Sequence, residues 1–427
     1  MTDTTPGFAT LSIHAGAQPD PATGARITPI YQTASYVFDN AEHAAALFGL
    51  QAFGNIYTRM NNPTQAVLEA RLAALEGGTA ALAVASGHAA QFLVFHVLLE
   101  PGDEFIAARQ LYGGSINQFN NAFKKFGWNV VWADGDDPAS FEAAVTPKTK
   151  AIFVESIANP GGIVIDVPAI AAVARKAGVP LIVDNTLATP YLFRPKEHGA
   201  DIVVHSLTKF LGGQGNSLGG AIIDSGTFDW LQSGRYPAIT EPNPSYHGLN
   251  IGETFGNFAF AIAARVLSLR DLGPAISPFN AFLILNGIET LPIRIERHVQ
   301  NALKVAEWLE KHPKVAWVNY AGLPGNRYYE LAQRLTPKGA GAVFTFGLKG
   351  GYEAGVNLIA NVKLFSLLAN IGDVRSLIIH PASTTHSQLT PEQREAAGAG
   401  DDTVRLSIGI EDAADIVADL EQALAEQ

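Results

Sequence analysis

From residue 63 onward the chain alternates short apolar runs with stretches of helical periodicity. Runs rich in β-branched residues occupy 104–108, 129–133, 151–155, 180–183, 202–204 and 220–223. Helix-like segments such as 115–126, 137–144 and 169–177 lie between them. Continuous apolar strands separated by helices predict an α/β fold with a mostly parallel sheet covered on both faces. In such sheets the chemistry gathers at the carboxyl ends of the strands. Thr64 is placed to cap a helix that runs through Leu68, Leu72 and Leu75 and stops at Gly77-Gly78.

The flanking regions read differently. Residues 1–62 are rich in Thr, Pro and Asn and predict an extended arm rather than a packed domain. Turn residues crowd 225–256 (Gly226, Gly234, Pro237, Pro242, Pro244, Gly248), which predicts a long surface excursion. A helical block over 257–312 is followed by strand-like runs at 316–320, 342–347 and 404–409 that alternate with helices. The expected organisation is an arm (1–62), a large domain (63–275) and a smaller C-terminal α+β domain (276–427).

Bulk properties narrow the function. A chain of 427 residues exceeds one ordinary core and fits two domains. With 47% apolar and 16% charged residues, burial outweighs chain entropy and disorder is not expected. Lysine and arginine number 29 against 40 aspartates and glutamates, a net charge of −11 that suits neither nucleic-acid backbone nor anionic membrane. Cysteine is absent, which excludes disulfides, zinc–thiolate sites and a cysteine nucleophile. The first residues carry no basic start or apolar core of a secretory signal. The most apolar stretch, 80–99, is interrupted by Ser86, Gly87, His88, Gln91 and His96, too many polar positions for a membrane span. A cytoplasmic protein acting on small molecules is expected.

Candidate chemistry centres on Asp201-Ile-Val-Val-His-Ser206-Leu-Thr208-Lys209-Phe-Leu-Gly-Gly213. An apolar strand leads to two hydroxyls, a lysine and glycines. A Schiff-base lysine has to be held rigidly at a strand end with its amine able to become neutral, and the hydroxyls of Ser206 and Thr208 could bind phosphate. Taken alone, the segment reads more readily as a surface lysine at a strand exit. Upstream, however, the run 180–183 delivers Asp184 to another strand end. Pyridoxal phosphate (PLP) requires such a carboxylate to keep its pyridine nitrogen protonated. Asp184 could instead cap a helix, but the two strand-end groups together match PLP. A third element, Ala83-Val-Ala-Ser86-Gly87-His88, places Ser-Gly before a helix, where free amides can cradle an anion. A dinucleotide loop at 212–220 fails, since G-x-G-x-x-G would need glycine where Leu218 stands.

These residues resemble the Cys/Met-metabolism PLP enzymes, the family of cystathionine synthase, cystathionine and methionine lyases and homoserine-ester sulfhydrylases. The family's lysine signature is matched over 201–215, and the likeness runs from Ser12-Ile-His-Ala-Gly16 to Arg405-Leu-Ser-Ile-Gly-Ile-Glu411. Val183-Asp-Asn-Thr-Leu-Ala-Thr-Pro-Tyr191, Thr240-Glu-Pro-Asn-Pro-Ser-Tyr-His247 and His380-Pro-Ala-Ser-Thr-Thr-His386 look like the sulfhydrylase subgroup that uses O-acetyl-L-homoserine. His88, where many lyases carry methionine, and Asn370, where many relatives have serine, depart from the wider family but are compatible with that subgroup.

The resemblance implies a fold type I, aspartate-aminotransferase-like transferase that makes L-homocysteine and acetate from O-acetyl-L-homoserine and sulfide. Rival readings are a γ-lyase on homocysteine or methionine, an O-succinylhomoserine sulfhydrylase and, more remotely, a non-catalytic binding module. By the same resemblance Lys209 would carry PLP, Asp184 would pair with its ring nitrogen and Tyr112 would stack on the ring. Ser86, Gly87, His88, Ser206 and Thr208 would hold the phosphate, and Asn159 would lie near the 3′-oxygen. Arg405 would clamp the substrate carboxylate, with Asn370 and Tyr57 beside the substrate; Arg375 competes for the clamp but reads more simply as a loop cation. Tyr57 and Arg59 would reach the neighbouring subunit's phosphate in a homotetramer.

Overall fold

The apolar runs become strands of a seven-stranded sheet in the computed structural model, which describes residues 6–160, 162–385, 387–388, 390–396 and 398–426. In chain order these are β1 (Ala80–Val84), β2 (Glu104–Ala108), β3 (Asn129–Ala133) and β4 (Thr149–Glu155). A small hairpin of β5 (Ile157–Ala158) and β6 (Ile163–Val164) follows. Then come β7 (Leu181–Asp184), β8 (Ile202–Ser206) and β9 (Gly220–Asp224). The sheet order is β1-β9-β8-β7-β4-β2-β3. Every pairing from β8 to β3 is parallel, whereas β9 runs antiparallel between β8 and β1.

Consecutive residues in β7 and β8, such as Ile182-Val183 and Val203-Val204, are buried, so both faces of the sheet are covered. The helices Pro63–Glu76, Gly87–Leu98 and Val167–Ala177 pack against it. The first of these starts two positions earlier than expected. Asn62, not Thr64, is its cap and accepts the Thr64 amide at 2.9 Å, while the Thr64 hydroxyl donates to the Pro29 carbonyl at 2.7 Å. Thr64 thus ties the N-terminal segment to the domain. That segment also contains helices Phe8–His14 and Ala41–Phe48, the former packed against Pro63–Glu76.

The stretch 225–256 is more than a surface excursion. It contains the hairpin β10 (Pro242–Asn243) and β11 (Leu249–Asn250), and it buries Trp230, Tyr236, Ile239, Tyr246 and Ile251. The Tyr236 hydroxyl donates to the Lys150 carbonyl at 2.8 Å, anchoring the stretch beside β4. The amphipathic helix Leu291–Lys311 leads to a five-stranded second sheet. Its strands are β12 (Val315–Asn319), β13 (Val343–Leu348), β14 (Ser366–Leu367), β15 (Leu377–Ile379) and β16 (Thr403–Ser407), ordered β12-β13-β16-β15-β14. The central β16 carries Arg405 opposite Thr345 and Ile379. No helix among the described residues is long and apolar enough to cross a membrane.

Candidate active site

The parallel strands bring their carboxyl ends to one edge of the large sheet, where a cleft opens toward Asn370 and Arg405 of the second domain. Ser86, Gly87, His88, Tyr112, Asn159, Asp184, Ser206, Thr208, Lys209, Asn370 and Arg405 all line it. Tyr57 and Arg59 do not line the cleft of their own chain. Arg59 instead donates to the Arg270 carbonyl and lies 5.6 Å from the Tyr57 ring centroid. Arg375 turns to Asp373 (3.0 Å) and stays out of the cleft, leaving Arg405 as the arginine that lines it. His386 of the sequence motif lies outside the described residues.

One end of the cleft suits an anion. Ser86 caps the helix Gly87–Leu98, its hydroxyl oxygen accepting the Ala89 amide at 3.1 Å. The amides of Gly87 and His88 therefore remain without partners inside the helix, at the positive end of its dipole. Glycine is required at 87, because a Cβ there would come within 2.9 Å of Ser206 Cβ. The helix start thus sits directly against the end of β8, beside the Ser206 and Thr208 hydroxyls. All of these donors are neutral.

Another end is acidic. Asp184 accepts the Thr186 amide at 3.0 Å and the Gln91 side chain at 3.3 Å. Glu155, its register partner on β4, accepts the amides of Tyr112 (2.7 Å) and Asn159 (3.0 Å). Burial, followed by the neighbouring Asp184 charge, pushes Glu155 up to about 8. Burial likewise holds Asp184 above the usual carboxylate range. Among the described residues no cationic side chain hydrogen-bonds to either carboxylate. Two buried carboxyls without a cation are costly, and a protonated pyridine nitrogen is the type of group that would relieve them.

Lys209 stands on the turn after β8, with its Nζ donating to Asn370 Oδ1. Burial, and then the nearby Arg405 charge, lowers its proton affinity and favours the neutral amine. The following turn is held by Arg294, which donates to the carbonyls of Phe210 (2.8 Å), Leu211 (3.3 Å) and Gly287 (2.7 Å). Gly213, at φ +72°, leaves room for that guanidinium. Arg405 donates to Asn159 Oδ1 at 3.1 Å and to the Asn370 carbonyl at 3.3 Å, bridging the two domains. Burial brings its pKa down to about 10, so it stays charged at neutral pH. Tyr112 is half exposed at the mouth, its ring edge-on to His88 with centroids 5.9 Å apart.

Sequence reasoning missed Gln91, Glu155 and Thr186, which all line the cleft. Glu155 was legible, since like Asp184 it is a carboxylate that ends an apolar strand. Gln91 lies one helical turn beyond Gly87 and so faces the same way. Arg294 offered no signal, being one of several charges in an amphipathic helix.

An anion cradle, an uncompensated carboxylate pair and a lysine with depressed basicity fit PLP, and together with the fold they define a PLP-dependent enzyme. The Cys/Met metabolism PLP-dependent enzyme family matches residues 9–425. O-acetyl-L-homoserine sulfhydrylase of Leptospira meyeri is 54% identical, over 97% of this chain and 96% of its own. O-acetyl-L-homoserine sulfhydrylase 1 of Thermus thermophilus is 53% identical, over 98% and 100%. Among solved structures, a candidate O-acetylhomoserine (thiol)-lyase from Campylobacter jejuni that contains a pyridoxyl-lysine monophosphate superposes with a TM-score of 0.95. It is 43% identical, over 98% of this chain and 99% of its own. The chain belongs to the Cys/Met metabolism PLP-dependent enzyme family.

Proposed function

We propose that this chain catalyses γ-replacement on O-acetyl-L-homoserine, exchanging acetate for sulfide to give L-homocysteine. The carrying observation is one cleft that holds Lys209, Asp184 and Arg405, in a chain 54% identical over nearly its whole length to a sulfhydrylase named for that substrate. Bound PLP supplies an electron sink for negative charge at the substrate's α-carbon. Lys209 would hold the cofactor, and its free amine would act as general base, taking a proton first from the substrate's α-carbon and then from its β-carbon. Its depressed basicity suits that work. Asp184 would keep the ring nitrogen protonated, and Tyr112 would supply an aromatic face for the ring. The Gly87 and His88 amides would hold the phosphate with the Ser86, Ser206 and Thr208 side chains.

Arg405 grips the α-carboxylate bidentately, oriented by Asn159 and the Asn370 carbonyl. The C–O bond to acetate breaks at the γ-carbon, hydrosulfide forms the C–S bond there, and protons return through Lys209. Because the phosphate donors of one chain are neutral, a cation from elsewhere would complete the site. Arg59 and Tyr57 sit on a segment with Val37 97% and Phe53 79% exposed, as expected of a surface that another subunit covers. The reading therefore includes an arm (1–62) that completes the neighbour's site, a cofactor domain (63–275), a C-terminal domain (276–427) and a homotetramer. It also takes the enzyme to be cytoplasmic and to serve methionine synthesis.

Supplied with O-acetyl-L-homoserine and sulfide, the enzyme should release homocysteine and acetate in equal amounts and turn over O-succinyl-L-homoserine more slowly. Ammonia and oxobutyrate as main products, formed equally well without sulfide, would overturn the reading in favour of a γ-lyase.

A further inference from the structure

Glu155 has no part in the reaction as proposed, yet it occupies a central place in the cleft. Its side chain is buried at the end of β4, directly beside Asp184 on β7. Each of its oxygens accepts one backbone amide: Oε1 that of Tyr112 and Oε2 that of Asn159. Those two residues come from separate connections, after β2 and in the turn between β5 and β6, and both line the cleft. Two donors on one carboxylate favour its ionised form. An amide at the same place would turn a donor toward one of the backbone N–H groups.

We propose that Glu155 is a positioning residue for the cofactor ring. It clamps Tyr112 and Asn159 in place and sets a second negative charge behind Asp184 that strengthens protonation of the ring nitrogen. The other charged groups nearby do not replace it. His205 of β8 lies near Asp184 but is 2.6 Å from the buried Glu76, and Arg405 is a cation that would oppose a protonated ring. Burial and the Asp184 charge raise the proton affinity of Glu155, so an incoming cation is the partner that would let both carboxylates ionise. The inference rests on the reading of this cleft as a PLP site with Asp184 at the ring nitrogen.

The test follows the ¹⁵N shift of the ring nitrogen from pH 6 to 10 in protein loaded with ring-labelled PLP, alongside titration of the cofactor-free protein with PLP. A unit charge one strand spacing plus one hydrogen bond from the ring nitrogen, about 8 Å, at an effective dielectric near 20, moves its titration by about 1.5 pH units. Glu155→Gln should lower the ring nitrogen's titration by about that amount. Glu155→Asp keeps the charge but withdraws it by one methylene from the two amides. Its ring nitrogen should titrate as in wild type while PLP affinity falls by about ten- to a hundredfold. Asp184→Asn is the control for the underlying reading, and a ring nitrogen still protonated in that variant overturns both. Loss of the proton in Asp184→Asn, with wild-type titration in Glu155→Gln and wild-type affinity in Glu155→Asp, overturns the role of Glu155 alone. If Glu155→Gln does not fold, unchanged PLP affinity in Glu155→Asp is sufficient to reject the proposal.

Discussion

Replacing Asp184 by asparagine should have opposite effects on stability with and without the cofactor. In the cofactor-free protein Asp184 and Glu155 face each other across adjacent parallel strands, about 5 Å apart at the backbone. Two ionised carboxylates at that separation repel by about 3 kcal/mol at an effective dielectric near 20. Both have raised pKa values through burial, Glu155 to about 8. A carboxyl with a raised folded pKa binds more protons folded than unfolded, so stability is lost as pH climbs from the unfolded value through the folded one. For Glu155 that window runs from 4.5 to about 8. Asparagine removes the repulsion, and its amide oxygen can still accept from the Thr186 amide that now bonds Asp184 at 3.0 Å.

Cofactor-free Asp184→Asn should therefore be more stable than cofactor-free wild type above pH 8, by up to about 3 kcal/mol. The gap should close as pH falls toward 5. With PLP present the order reverses, because removing one partner of a buried charged pair costs about 2–5 kcal/mol, or roughly 30- to 5,000-fold in cofactor affinity. Urea unfolding at pH 5, 7 and 8.5, with and without PLP, measures both effects. A cofactor-free variant less stable than wild type at pH 8.5 would refute the reasoning, since some cation would then be compensating Asp184.

Two further outcomes are expected. Arg405→Lys should raise KM for O-acetyl-L-homoserine by about 10- to 100-fold, with a smaller change in kcat, because a point charge replaces a bidentate fork held by Asn159 and Asn370; an unchanged KM would remove Arg405 from the clamp. Arg59→Ala and Lys209→Ala proteins, each inactive or nearly so, should regain part of the activity when mixed under conditions of subunit exchange, because a crossing arm gives some mixed pairs one intact site. No recovery despite proven exchange would mean that the arm serves its own chain.

The sequence alone was sufficient for the strand and helix alternation and for placing Asp184 at a strand end and Lys209 just beyond one, because each is a local signal: an apolar run that leads to a polar group. The same signal was present at Glu155, but only the register of β4 against β7 pairs it with Asp184. Sheet order is likewise non-local, and the antiparallel β9 followed from no pattern in its own residues. The stretch 225–256 looked solvent-exposed because glycines and prolines are scattered through it and break any periodic apolar pattern, yet Tyr236 and Tyr246 find backbone carbonyls of other segments and become buried. Arg405 and Asn370 meet Lys209 because the second domain docks over the strand ends, a contact between segments far apart in the chain. Tyr57 and Arg59 lie off their own cleft. Composition and periodicity determine which surfaces must be buried, whereas the docking of whole elements decides which polar groups end up sharing one buried site.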